Sequence, residues 1–232
     1  MFKNIHYILL GFCLAMSVWQ TIRYFEKKSM VGLAKANLQK VLELRDLKNP
    51  QIFNLVFSDQ RPDSEIQFKI RRKIGDEYKE IKYILALVDG KYIPISLGCQ
   101  SLDESENYYW IVLDLEDRPI YHALVRYLIP KNEVPYLDKA LLEDRFNLQL
   151  GEFYLERVKE DFSINDLFAF DFSRSELFFG LHSTKRPDCF KPISPPALHF
   201  SYIFEWLLIG VIGFFLIKLI ISRLNDRNAT RC

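Results

Sequence analysis

The sequence lacks most of the short patterns that identify enzymes. It contains no G-x-S-x-G turn for an activated serine and no phosphate-binding glycine loop, and nine glycines in 232 residues leave few positions for one. It also has no C-x-x-C motif and no closely spaced His–Cys pair, so nothing supports a dedicated zinc or copper site. A membrane-anchored hydrolase is therefore the weakest interpretation of the chain.

An excess of positive charge is absent as well. The chain has 31 Lys and Arg residues against 30 Asp and Glu residues, a net charge of +1. No stretch concentrates basic residues with interleaved aromatic side chains, as a nucleic-acid-binding face would. We therefore expect no nucleic-acid partner.

Cysteine is scarce, with four residues in all. Cys13 lies in an apolar run and Cys232 is terminal, which leaves Cys99 and Cys189 to pair within the central region. A disulfide between them is expected if this region lies in an oxidising compartment, and two free thiols are the alternative.

Long apolar runs are present at both ends of the chain and decide its class. Residues 5–22 carry no charged side chain and predict a membrane anchor. A cleaved signal peptide is the competing interpretation, but no small-x-small cleavage site follows. Residues 200–222 predict a second span, about 34 Å of helix. The lipid bilayer is thus the first predicted partner.

Two spans place both termini on one side of the membrane and residues 30–198 on the other. The orientation does not follow from charge. Arg223, Arg227 and Arg231 favour a cytoplasmic C-terminus, whereas Arg23, Lys27 and Lys28 after the first span favour the reverse.

The central region is predicted to be mainly antiparallel β-sheet, which makes the chain an α+β membrane protein with terminal transmembrane helices. Apolar and polar residues alternate around Phe68, as in a strand with one buried face. IKYILALV and KYIPISL flank Asp89-Gly90 and predict a hairpin. A second hairpin is predicted around residues 116–119, a helix over residues 136–146, and an amphipathic helix over residues 32–47. GEFYLERVKEDF fits either a helix or a strand.

One helical stripe at the start of the second span contains candidate functional residues. His199, Tyr202 and Trp206 are spaced i, i+3 and i+7 and so share one side of a helix. An aromatic belt at the lipid headgroups is the simpler interpretation. The first span ends with a matching stripe of Trp19, Arg23 and Lys27, with Gln20 beside it. An imidazole facing cationic groups suits haem, with His199 on the iron and Arg on the propionates.

These two stripes also carry a family resemblance. SVWQTIRYFEKKSM resembles the W-Q-x-x-R-x-x-x-K signature that opens the Surfeit locus family of cytochrome c oxidase assembly factors, with Trp19, Gln20, Arg23 and Lys27 in register. HFSYIFEW resembles the closing H-L-x-Y-A-x-x-W segment of that family, with His199, Tyr202 and Trp206 in register.

The match is incomplete. Leu97, Gly98 and Cys99 stand where the family has Arg-Gly-Trp, and Ala197-Leu198 replace the Asn-Asn that usually precedes the histidine. The resemblance therefore implies a divergent member.

The resemblance implies a chaperone rather than an enzyme. Such a protein crosses the bacterial or mitochondrial inner membrane twice, with its domain in the periplasm or intermembrane space. It helps insert haem a into oxidase subunit I, so the implied partners are that subunit and the proteins of haem a synthesis and oxidase assembly. The alternative is a membrane-tethered interaction or sensor domain with no cofactor.

Overall fold

A computed structural model of the chain describes residues 4–74, 77–99, 107–115, 133–134, 136–168, 189–190 and 192–229. The described elements are, in chain order, α1 (Ile5–Asn37), β1 (Val41–Glu43), β2 (Leu55–Ser58), β3 (Gln67–Ile74), β4 (Glu77–Val88), β5 (Lys91–Gly98), β6 (Tyr108–Asp114), β7 (Glu133–Val134), α2 (Lys139–Phe146), β8 (Phe153–Val158), α3 (Ile164–Leu167) and α4 (Pro196–Ala229). Two compact units result, one of Met1–Met30 with Ser194–Cys232 and one of Val31–Ile193.

The first unit is a pair of long helices that are apolar enough to cross a membrane. Only 22% of the most apolar stretch of α1 is buried, and only 6% of that of α4. A core helix of a water-soluble protein would hide most of that surface, so these outward-facing apolar side chains fit a membrane protein with two spans. The predicted fold class is confirmed.

Both helices are longer than the predicted spans. The 33 residues of α1 extend over about 50 Å, well beyond the roughly 30 Å of hydrocarbon in a bilayer. α4 begins at Pro196, because proline is well tolerated in the first turn, where the amide hydrogens have no partner within the helix.

The amphipathic helix predicted for residues 32–47 is only partly correct. α1 continues without interruption to Asn37, and the chain then forms β1 and a short 3₁₀ turn, Leu44–Asp46. Side chains end the helix here, since Asn37 Nδ2 donates to the carbonyl of Ile52 at 2.8 Å and Asn54 Nδ2 donates to the carbonyl of Asn37 at 3.2 Å. These bonds give the helix terminus partners that apolar spacing alone does not predict.

The second unit is built on one eight-stranded sheet in the order β1-β2-β6-β8-β5-β4-β3-β7. Neighbouring strands are antiparallel except for three parallel pairs: β1 with β2, β5 with β8, and β3 with β7. The sheet is therefore mixed, with most of its long pairings antiparallel.

Local signals account for several of these elements. Asp89 and Gly90 have φ angles of 48° and 79° and form the turn that connects β4 to β5. The two strands pair antiparallel, which confirms the predicted hairpin. Phe68 is buried on β3 as the alternation predicts. α2 confirms the predicted helix, and the ambiguous GEFYLERVKEDF segment contains β8. The loop of the second predicted hairpin and its second strand lie outside the described residues.

Each face of the sheet has its own apolar core. One core includes Phe68, Tyr83 and Leu85 and is covered by Leu141 and Leu142 of α2. Asp138 caps that helix by accepting from the amide of Leu141 at 2.9 Å. The core on the opposite face is centred on Trp110, Ile95 and Leu155.

Candidate functional site

The inward sides of α1 and α4 follow a regular three- and four-residue spacing. Over the part of α1 that faces α4, the buried residues are His6, Cys13, Ser17 and Gln20. Their neighbours on α4 occur in reverse order: the His6 ring packs on Phe214 with 5.1 Å between centroids, and Ser17 Oγ lies 3.5 Å from the carbonyl of Ile203. The two helices are therefore antiparallel and in contact over the stretch of α1 from His6 to Ser17.

Two glycines allow this close approach. A Cβ atom added at Gly210 would lie 2.8 Å from the Cβ of Cys13, and one added at Gly213 would lie 2.7 Å from Leu9 Cδ2. Both distances are shorter than van der Waals contact. Small residues at helix contacts are typical of membrane helix pairs, because they let the backbones approach closely.

Gln20 and His199 meet at the end of this pair from which the chain leaves toward residues 31–193. Gln20 Oε1 lies 2.9 Å from His199 Nδ1. Gln20 is 6% exposed. The other ring nitrogen, His199 Nε2, is buried and has no hydrogen-bond partner among the described residues. A covered imidazole nitrogen with no partner is uncommon, because burying an unsatisfied polar atom is unfavourable.

The remaining residues of the two predicted stripes have different surroundings. Trp19 is 50% exposed and Tyr202 is 37% exposed. Trp206 is half-buried and packs edge-on against Phe12 of α1, with 5.8 Å between ring centroids. Of the aromatic members, Trp206 is thus the one held between the helices.

The two basic residues lie on the turns of α1 that follow Gln20. Arg23 Nη1 contacts Glu26 Oε2 at 2.9 Å, and both of these side chains are about half exposed. Lys27 Nζ lies 3.7 Å from Met30 Sδ. One exposed ion pair contributes little to stability, so Arg23 can exchange this contact for a ligand carboxylate at small cost.

The structure thus joins Gln20 and His199 directly, whereas Trp19 and Tyr202 face outward. The spacing of Trp19, Arg23 and Lys27 had predicted Gln20 beside the stripe of α1, whereas Gln20 lies on the inward side of the helix. A periodic signal was available: residues 6, 13, 17 and 20 of α1 repeat at coiled-coil intervals, with polar His6, Ser17 and Gln20 among them. The histidines His122 and His182 lie outside the described residues.

A second buried polar cluster lies in the sheet. Tyr83 Oη donates to Glu156 Oε2 at 2.7 Å, and Arg72 Nη1 lies 3.2 Å from Glu156 Oε1. Arg72 Nη2 also donates to Tyr83 Oη at 3.1 Å. The period of two that places Phe68 and Ile70 inward also places Arg72 inward, so this residue could have been identified from the alternation.

Burial governs the protonation of this cluster. Burial and the adjacent Glu156 carboxylate raise the pKa of Tyr83 well above its usual value, so the phenol stays neutral and donates its hydrogen. Burial is the largest single influence on Arg72 and disfavours its charged form, but the neighbouring Glu156, Tyr83 and Tyr154 together outweigh it and raise the pKa of Arg72. The cluster is internally satisfied, which indicates a structural role.

The two central cysteines form a disulfide. Cys99 and Cys189 are 90 residues apart in sequence, and their Cα atoms are 5.8 Å apart. Cys99 follows the end of β5, and Cys189 is buried in the core that α2 covers. The bridge therefore ties the segment that precedes α4 to the sheet.

Among the described residues, no group of three or more His, Cys, Asp or Glu side chains could hold a metal ion. A haem differs from a bare ion in this respect, because its porphyrin supplies four nitrogens and one protein nitrogen suffices as an axial ligand.

No family model matches the sequence, and no curated protein matches it.

Proposed function

We propose that the chain is a divergent member of the Surfeit locus family, acting as a chaperone rather than an enzyme. Its role would be to hold haem a for insertion into subunit I of cytochrome c oxidase. The observation that carries the proposal is the state of His199, whose Nδ1 contacts Gln20 while Nε2 is buried without a partner. This ring is oriented by one nitrogen, and the other has no hydrogen-bond partner among the described residues that would compete with iron.

The residues around this ring fit haem. His199 Nε2 would bind the iron, and Arg23 with Lys27 would hold the propionates, since guanidinium and ammonium groups form strong charge-assisted hydrogen bonds to carboxylates. When bound, haem supplies a redox-active iron that accepts an imidazole nitrogen. Trp19 and Tyr202 provide aromatic surface near the level of His199, and Trp206 lies about two turns farther along the pair, against Phe12.

The closed packing of the pair favours a transient holder. Nε2 is covered in the described arrangement. The nitrogen therefore becomes accessible only when neighbouring side chains move. A chaperone that must release its cargo benefits from this, because the closed pair competes with the bound state and lowers the apparent affinity.

We place the protein in the bacterial or mitochondrial inner membrane, with residues 30–198 in the periplasm or intermembrane space. The Cys99–Cys189 disulfide supports this orientation, because disulfides persist in oxidising compartments and are rare in the cytosol. The proposed partners are subunit I of the oxidase and the proteins that make haem a and assemble the oxidase, and the two spans contact the lipid bilayer.

A membrane-tethered interaction or sensor domain without a cofactor is the second candidate. The Gln20–His199 contact favours it, because that contact joins the two helices with no ligand present. Interhelical hydrogen bonds of this kind contribute to membrane helix packing by themselves.

Substitution of His199 distinguishes the two candidates. We expect His199→Ala to abolish or severely reduce haem retention in purified protein and oxidase maturation in membranes, because the substitution removes the coordinate bond to iron. Arg23→Ala should reduce both only partly, since it removes one charge-assisted interaction of roughly 1.5–3 kcal/mol. The measurements are the Soret absorbance per protein and reduced-minus-oxidised spectra of membranes.

His6→Ala is the matched control, since His6 is also an inward-facing imidazole with a buried, unpartnered nitrogen, at the other end of the same helix pair. It should leave haem retention unchanged. A normal haem a spectrum in His199→Ala membranes at matched protein level would exclude the ligand role and leave the second candidate.

A further inference from the structure

The Gln20 side chain has a restricted chemical relation to His199. Its amide oxygen is 2.9 Å from Nδ1, and Gln20 is more than nine-tenths buried. An amide oxygen can only accept a hydrogen bond, so Nδ1 must carry the proton that it donates. In a neutral imidazole only one ring nitrogen is protonated, and the lone pair therefore lies on Nε2.

A histidine without such a contact exchanges between its two tautomers. In the Nε2–H tautomer, the nitrogen that the proposed function assigns to iron carries a hydrogen and has no lone pair to donate to the metal. A fixed acceptor at Nδ1 removes that competing state. Histidine ligands in metal proteins commonly donate their second ring N–H to an oxygen acceptor, which orients the ring and raises the basicity of the ligating nitrogen.

We propose that Gln20 is a positioning residue that fixes the Nδ1–H tautomer of His199 and so directs the lone pair to Nε2. The inference rests on the proposed function for its ligand, haem, but the tautomer itself is a property of the protein alone. The contact also links α1 to α4, because Gln20 and His199 lie on different helices. Nε2 is therefore fixed as the unprotonated ring nitrogen only when the two helices are packed together.

The first test needs no haem. The full chain, labelled with ¹⁵N at its histidines and held in lipid nanodiscs, should give imidazole signals at neutral pH with a protonated Nδ1 and an unprotonated Nε2 for His199. His199→Ala identifies those signals by their loss. Gln20→Leu should give the Nε2–H form or a mixture, whereas Gln20→Glu, which keeps an oxygen acceptor, should retain the protonated Nδ1.

Ser17→Ala is the control for a loss of packing. Ser17 lies about one turn before Gln20 on the same buried side and donates to the Cys13 carbonyl at 2.9 Å, without contacting His199. Its His199 signals should match those of the unmodified chain. An Nε2–H tautomer in the unmodified chain would overturn the inference, and so would an unchanged tautomer in a folded Gln20→Leu variant.

The second test uses haem-loaded protein and has a readout that packing alone does not move. Gln20→Leu should lower haem affinity by roughly 10- to 100-fold, as loss of such partners usually does. Gln20→Glu should restore affinity and lower the midpoint potential of the bound iron, because a carboxylate makes the imidazole a stronger donor. Equal potentials for Gln20 and Gln20→Glu proteins would contradict the positioning role.

The two proposals fail in different ways. If the tautomer depends on Gln20 but no variant or parent protein retains haem, the tautomer assignment stands and the haem function is wrong. If His199→Ala loses haem while the tautomer is independent of Gln20, the haem function stands and the role of Gln20 is wrong.

Discussion

A buried polar side chain in this chain affects stability according to whether neighbouring residues supply hydrogen-bond partners for it. His199 and Glu156 both have buried polar atoms, yet they differ in whether those atoms have hydrogen-bond partners. Both oxygens of Glu156 have partners, Arg72 and Tyr83, whereas His199 Nε2 has none among the described residues. An unsatisfied group lowers stability, and a protein retains one most readily where function requires it. The contrast supports a structural cluster in the sheet. Because His6 Nδ1 is also buried without a partner, the case for His199 rests on its unpartnered Nε2 together with the Gln20 contact that orients its ring.

The cluster in the sheet allows a stability prediction at this scale. Arg72→Met should destabilise the domain by about 3–5 kcal/mol, because Glu156 is 2% exposed and would be left as an unpaired buried charge. Tyr83→Phe should cost about 1–3 kcal/mol, since it removes only a neutral donor from the same carboxylate. Guanidinium unfolding of the full chain in detergent, followed by near-UV circular dichroism, measures both.

An exposed ion pair on the same sheet provides the control. Lys69 and Glu80 lie 3.0 Å apart with side chains 54% and 63% exposed. Lys69→Met should therefore change the free energy of unfolding by less than about 1 kcal/mol. Equal effects of Arg72→Met and Lys69→Met would show that Glu156 is protonated or solvated in the folded protein.

At the scale of elements, local signals predicted what depends on neighbours in sequence. Alternation identified β3, and Asp89-Gly90 identified the β4–β5 hairpin, because a turn residue and a period of two act within a few positions. The parallel placement of β8 beside β5 depends on contacts between Ile95 and Leu155, which are 60 residues apart in number, and no local pattern encodes it. Helical spacing likewise predicted a helix that continues past Asn37, whereas α1 ends there. Hydrogen bonds with Ile52 and Asn54, which are distant in sequence, give the helix end its partners, and local spacing does not encode them.

The candidate site shows the same division. Composition predicted both spans, and spacing placed the two stripes at matching levels. The rotation of α1 about its axis was not predicted, because residues 19 and 20 differ by about 100° and only packing against α4 selects which one faces inward. Gln20 is buried and Trp19 is half exposed for that reason.

The close approach of α1 and α4 at two glycines predicts how alanine substitutions there affect stability. Gly210→Ala should lower the melting temperature of the protein in detergent, with overpacking of about 1–3 kcal/mol, because the new methyl would meet the Cβ of Cys13, which cannot move without its helix. Gly213→Ala should cost less, since it meets the flexible tip of Leu9.

Gly11→Ala completes the series. A Cβ at Gly11 meets nothing within 4 Å, and alanine favours helix by up to about 1 kcal/mol. Its melting temperature should stay equal or rise. A Gly210→Ala protein as stable as Gly11→Ala would mean that α1 and α4 do not approach closely at this position.

On the scale of the whole molecule, the two-span topology and the disulfide both depend on which side of the membrane holds the central domain. A chain with two spans has both termini on one side, and the bridge between Cys99 and Cys189 persists only if the intervening domain is on the oxidising side. Reporter fusions after residue 232 and within residues 101–107 should therefore give opposite signals. Identical signals would refute the two-span topology.

The bridge supplies an independent check of the same orientation. Closing a loop of 90 residues stabilises a folded domain by about 4–5 kcal/mol in the chain-entropy description, so reduction should lower the melting temperature of the domain measurably. In denatured, unreduced membranes, a maleimide reagent should leave Cys99 and Cys189 unmodified, and Cys99→Ser should expose one new thiol, that of Cys189. If both cysteines react without reduction while the fusions still report opposite sides, the bridge does not form and the domain faces a reducing compartment. The orientation proposed from the oxidase assembly role would then be reversed, and the periplasmic or intermembrane-space placement would fail with it.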